Sequence, residues 1–242
     1  PKAGKIRSKK GIITCSSPRY SLRFNLQTAA IESYILHGTE MLRSPLRLNF
    51  WRPPTLNDLA DRNGARAWQG LTDIKPILLE HQCRANEAHL LYRLESPEGQ
   101  AMLLRYIIEA CDEGVRLSYR LEPQGAYKTL PKMGLQTTVD TAVATVQWWG
   151  LRDECYPDRR HGVLGQWEAS AEEMVGEMHP VPQESGNHEA ARLRLLRAHE
   201  ADSAGLYLTA PTFNFSLRRY DDSTLTRCRR ICELPLPRPY YV

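Results

Sequence analysis

The chain has 242 residues, 42% of them hydrophobic and 25% charged, with 32 Lys and Arg against 28 Asp and Glu for a formal net charge of +4. That length suits one large domain with a sizeable buried core. So small a net charge, with Arg dispersed rather than striped, argues against nucleic acid as a partner. No run of about 18 apolar residues occurs, so no membrane-spanning helix is predicted. Cys15, Cys83, Cys111, Cys155, Cys228 and Cys232 form no CxxC pair and fall mostly in apolar β-like runs. This pattern predicts reduced, buried thiols of a cytoplasmic protein, without metal.

The opening PKAGKIRSKK is basic and lacks the apolar core of a signal peptide, so residues 1–10 read as a tail or linker and residues 11–242 as a β domain. In RYSLRFNL, Tyr20, Leu22, Phe24 and Leu26 alternate with polar residues, the pattern of a strand with one buried face. Strands at Gly11–Ser17 and Ile31–Leu36 complete a predicted meander. After LRLNFWRPP the two prolines stop any ladder. Thr55 and Asp58 then have capping-box spacing for one brief helix near Leu56. ILLEHQC, HLLYRLES, QAMLLRYIIEA and GVRLSYRLE are bracketed by turn formers at hairpin intervals, which predicts antiparallel strands from Ile74 to Pro123. The apolar spacing of QAMLLRYIIEA also allows a helix, but Tyr106, Ile107 and Ile108 and the flanking SPEG and DEG favour a strand.

The most informative stretch runs from Leu130 to Asn187, through LPKMGL, VQWWGL, CYPDRRHGVLGQW and VPQESGN. On a period-two strand Val146, Trp148 and Gly150 share one face and Gln147 and Trp149 the other, so one indole points away from whatever core the other joins. EAARLRLLRAHEA has helical composition, yet Leu193 and Leu195 alternate with Arg192 and Arg194 as in a strand. GLYLTA, FNFSLRRY and RRICELPL are read as the last strands.

The ordered segments LPKMGL, WWGLRDECYPDR, GQW and PQESGN resemble the C-terminal β-sandwich domain, or small chain, of LacZ-type β-galactosidases of glycoside hydrolase family 2. SPLRLNFWRPPTLND upstream and FNFSLRRYDDSTL downstream extend the resemblance over most of the chain. It implies an all-β fold, a large antiparallel sandwich of the galactose-mutarotase-like type with one short helix at most, and a strand over Glu189–Ala201. It also implies that the chain completes a β-galactosidase whose two catalytic Glu residues lie in a separate (β/α)8 barrel domain. On that view this chain holds no catalytic residue, metal or cofactor, the Mg and Na frequent in the family being bound by other domains. The partners are the barrel and a galactoside, in a cytoplasmic oligomer. Trp51, Arg52, Asn57 and Asp58 then form a loop beside the substrate, and Trp148, Trp149, Glu184 and Asn187 are sugar or interface contacts.

Leu56 stands where the family has the first Asp of its D-N-D motif, so only Asn57 and Asp58 carry over. The family's later segment with a galactose-stacking Trp has no counterpart before the final LPRPYYV, so the domain is expected to be truncated at its C-terminal end.

Among acidic residues of the central stretch, Asp153, Glu154, Asp158 and Glu184 are read as solvated loop charges rather than a glycosidase pair. Two rivals remain: a stand-alone carbohydrate-binding module that uses aromatics for stacking, and a mutarotase-like sugar epimerase. The second needs a His beside a carboxylate, and His161, His179 and His188 have no spacing that supports it.

Overall fold

A computed structural model describes residues 4–60, 65–68, 70–99, 101–124, 127, 129–140, 142–156, 160–176, 180–198, 205–236 and 242. The chain divides into two compact units: Pro1–Trp51 with Asp58–Gln136, and Arg52–Asn57 with Thr137–Val242. Each is antiparallel β-structure.

In the first unit a five-stranded meander comprises β1 (Lys5–Lys9), β2 (Ile12–Ser16), β3 (Tyr20–Asn25), β4 (Ala30–Leu36) and β5 (Thr39–Glu40). The short β6 (Arg47–Asn49) follows. A four-stranded meander then runs through β7 (Lys75–Arg84), β8 (Glu87–Glu95), β9 (Ala101–Ala110) and β10 (Val115–Pro123), and β11 (Gly134–Gln136) pairs back onto β6. Residues buried every second position in β3, β8 and β9 share one core. Phe24 meets Tyr106 edge to face at 5.8 Å. The Tyr92 hydroxyl donates to the Leu26 carbonyl at 2.8 Å, so the phenol is buried without leaving its polar end unpaired. Each such buried side chain contributes about 1.5–3 kcal/mol relative to an exposed one.

Residues 5–9, expected as part of a tail, are instead an edge strand. Lys10 and Gly11 both take positive φ (51° and 78°), the two-residue turn that suits the twist of a hairpin. Ile6 packs against the core, while Lys5, Arg7 and Lys9 stay exposed along the edge, where charge opposes further strand pairing. A tail reading looks only at charge; one apolar residue in register with β2 was enough to add the strand.

The second unit has one four-stranded sheet, ordered β13 (Leu164–Ser170), β12 (Val143–Leu151), β14 (His188–Arg197), β15 (Gly205–Phe215). The alternation in 188–197 prevails over its helical composition: Leu193 and Leu195 are buried, Arg192 and Arg194 exposed. Gly150 sits at a register shift, where a Cβ would lie 2.0 Å from the Glu189 carbonyl oxygen, so only glycine allows β14 to approach this closely.

Helix content exceeds the single short helix expected. α1 (Leu56–Ala60) is the one anticipated, and α2 (Ala171–Val175) and α3 (Asp222–Arg227) are additional. Ser170 and Glu173 form a reciprocal capping box on α2, and Asp221 caps α3 through the Thr224 N–H at 2.6 Å. RRICELPL is therefore not a strand. Ile231–Glu233 is a 3-10 turn, the Arg229 N–H is taken by the Glu233 carboxylate, and Pro235 has no N–H for a ladder. GLYLTA and the first three residues of FNFSLRRY are joined through Pro211 into the single β15, and residues 216–220 of that expected strand lie outside it. The six cysteines are all free, with Cys15 and Cys155 buried and Cys232 exposed, so burial holds for only part of the set.

Candidate functional site

The central stretch builds a hub in the second unit. β12 ends at Leu151 and β14 begins at His188, and the loops before and after these points face one another. The turn 183–187 is held from two sides. On one side the Glu184 N–H donates to the Pro53 carbonyl at 3.3 Å, and the Leu56 N–H, at the start of α1, donates to Gln183 Oε1 at 3.2 Å. On the other, the Gly186 N–H and the Tyr156 hydroxyl both donate to Glu154 Oε1 at 2.6 Å, and the Cys155 N–H donates to the Asn187 carbonyl at 2.6 Å.

Beneath the turn lies a buried charge cluster. Arg218 places Nη1 3.2 Å from Glu184 Oε2 and Nη2 2.5 Å from Asp222 Oδ1. Asn187 Nδ2 donates to the other Glu184 oxygen at 3.2 Å. All three charged residues are at least nine-tenths buried. Burial opposes charge on the guanidinium, but the Asp222 and Glu184 carboxylates outweigh it and push the Arg218 pKa above its ordinary value. The expectation that Glu184 is a solvated loop charge is thus corrected: a fixed guanidinium below it makes burial tolerable.

Trp148 and Trp149 separate as the alternation predicts. Trp148 is buried, its indole N–H donating to the Leu151 carbonyl at 2.9 Å, its ring 5.5 Å from His188 and 6.1 Å from Phe215. Trp149 is 44% exposed on the opposite face, in register with Gln166 and Arg192. Burial pushes the His188 pKa down, only partly offset by Glu154, the Arg152 backbone and Asp153.

Of the residues singled out from the sequence, Glu184 and Asn187 are joined by a hydrogen bond, and Trp148 meets His188. Arg52 and the exposed Asn57 belong to the second unit, and Trp51 and Asp58 to the first, where Trp51 meets Trp68 edge to face at 6.5 Å. Asp158 and His179 lie outside the described residues. Arg218, Asp222, Gln183 and Tyr156 were missed as site residues. The i,i+4 spacing of Arg218 and Asp222, astride an Asp cap, was the one available signal.

Chemically, the hub is a scaffold. Both buried carboxylates are committed to one guanidinium, whereas a glycosidase pair must present an acid and a base or nucleophile to the sugar. Among the described residues no group of three or more His, Cys, Asp or Glu could hold a metal ion, and no helix is long and apolar enough to cross a membrane.

Fold and site together define an all-β class of protein, antiparallel sheets with a buried ionic hub and an exposed indole. The beta galactosidase small chain family matches residues 16–241, and the chain belongs to that family. It is similar to beta-galactosidase BgaC of Bifidobacterium adolescentis, with 29% identity over 65% of this chain and 15% of that protein. Beta-galactosidases of Vibrio cholerae (26% identity, 91% of this chain, 22% of that protein) and Actinobacillus pleuropneumoniae (23%, 92% and 22%) are similar over nearly its whole length. The chain thus spans about a fifth of these relatives. A solved Salmonella typhimurium protein with a mutarotase name overlaps at a TM-score of 0.41 and 15% identity over 80% of this chain and 70% of that one, too little to bear on fold or activity.

Proposed function

We propose that this chain completes a β-galactosidase, working with a separate catalytic barrel domain that supplies both carboxylates for hydrolysis of terminal β-D-galactosides. The family match over residues 16–241 carries this reading. The engagement of Glu184 and Asp222 with Arg218 supports it, because it leaves this hub without a free acid/base pair. In this reading Trp51, Arg52, Asn57 and Asp58 border the entrance to the sugar site, Trp149 and the 183–187 turn are contact or shape elements, and the complete enzyme is a cytoplasmic oligomer whose metals are bound elsewhere. The isolated chain cleaves nothing.

Replacing Trp51 or Asn57 by Ala in the complete enzyme should change KM or kcat for a galactoside severalfold. Unchanged kinetics with intact folding would refute the bordering role.

The exposure of Trp149 (44%) and Tyr207 (51%) on the second unit favours one alternative, a carbohydrate-binding module that stacks sugars on aromatic faces. Titration of the isolated chain with lactose or galactose separates the two, since a completing domain gives no saturable binding.

A further inference from the structure

We propose that Arg218 is a positioning residue for the segment 53–56, so that the ionic hub sets the geometry of the loop assigned above to the sugar entrance; this rests on that assignment. Arg218 lies far along the chain from this segment, yet only two links separate them. Its guanidinium is held between Glu184 and Asp222 at 3.2 and 2.5 Å, with Asp222 fixed in the first turn of α3. The same Glu184 donates its backbone N–H to Pro53, and its neighbour Gln183 accepts the N–H of Leu56.

Pro53 and Pro54 have no N–H to donate, α1 is five residues long, and it buries no residue. A helix this short is not stable by itself, so its first turn depends on what holds the preceding backbone. The 183–187 turn supplies two hydrogen bonds of that hold. The turn in turn keeps its shape because Glu184 cannot swing to water without leaving a buried guanidinium half unpaired. A planar guanidinium is suited to this position, since two separate N–H groups reach two carboxylates at once, which the single ammonium of lysine does not do in the same geometry.

The test uses Arg218→Lys in two settings. In the chain itself, hydrogen exchange at the Leu56 amide should quicken about tenfold or more, while the β12 and β14 amides keep their protection. In the complete enzyme, KM for a galactoside should rise about fivefold with kcat changed less than twofold, the scale of one lost hydrogen bond in positioning. If Arg218→Lys does not fold, Gln183→Met removes only the acceptor of the Leu56 N–H and carries the same expectation for KM. Leu195→Val loosens the sheet core without touching the hub and should leave both KM and Leu56 exchange unchanged, which separates positioning from mere loss of stability. Unchanged Leu56 exchange in folded Arg218→Lys overturns the proposal. So does unchanged KM in an enzyme where Asn57→Ala shifts it. Unchanged KM for Asn57→Ala as well overturns the entrance reading itself, and this proposal with it.

Discussion

Replacing Arg218 by Met should destabilise the second unit by about 3–5 kcal/mol, the usual cost of stranding charge in a buried ion pair. The magnitude follows from burial rather than distance. Arg218, Glu184 and Asp222 are 8%, 5% and 4% exposed, so removing the guanidinium leaves two carboxylates with little solvent and without the cation they share. Arg19 and Glu113 meet at 2.7 Å, a comparable separation, but their side chains are 50% and 80% exposed, and Arg19→Met should cost less than about 1 kcal/mol. Combining Arg218→Met with Glu184→Gln and Asp222→Asn should recover much of the loss, because no uncompensated charge then remains. Urea unfolding followed by indole fluorescence measures all three, with the slope checked for constancy. If Arg218→Met and Arg19→Met lie within about 1 kcal/mol of one another, the hub is solvated and the reasoning fails.

The two adjacent indoles should behave oppositely. Trp148→Ala is expected to cost about 3–5 kcal/mol, whereas Trp149→Ala should stay within about 0.5 kcal/mol by the same unfolding assay. The His188 pKa is depressed by burial, so its contribution to stability is present above the unfolded value near 6.5 and lost as pH falls through the lower folded value. His188→Phe should therefore flatten the fall of the melting temperature from pH 7 to 5; a parallel profile would show that His188 takes up protons equally in both states.

Much of the β-structure was legible because one local signal, period-two alternation, coincides with what the sheets bury. β3 and the division of Trp148 from Trp149 on β12 follow directly from it, whereas β9 was read from Tyr106, Ile107 and Ile108 and the turns that bracket them. At 188–197 the alternation left helix and strand both open and the family resemblance chose the strand, which forms because the two leucines gain more from burial than the backbone loses by leaving its preferred state. The resemblance of ordered motifs identified the family, and the match over residues 16–241 bears it out. Errors gathered where a few residues outweigh composition. Ile6 turned a basic tail into a strand, Pro235 and the Glu233 carboxylate on the Arg229 N–H turned an expected strand into a 3-10 turn, and the Asp221 cap and the Ser170–Glu173 box started helices where none was expected.

What the sequence determined by itself was which side chains face inward along each strand, because that periodicity is a property of neighbouring residues. What only the tertiary structure decided was which distant residues share a buried charge. Glu184 carries no sign in its own neighbourhood that Arg218 lies beneath it, so its solvation, and with it its role, depends on a contact 34 positions away. Coulombic and desolvation energies depend on distance and burial in space, and only the folded chain sets either one.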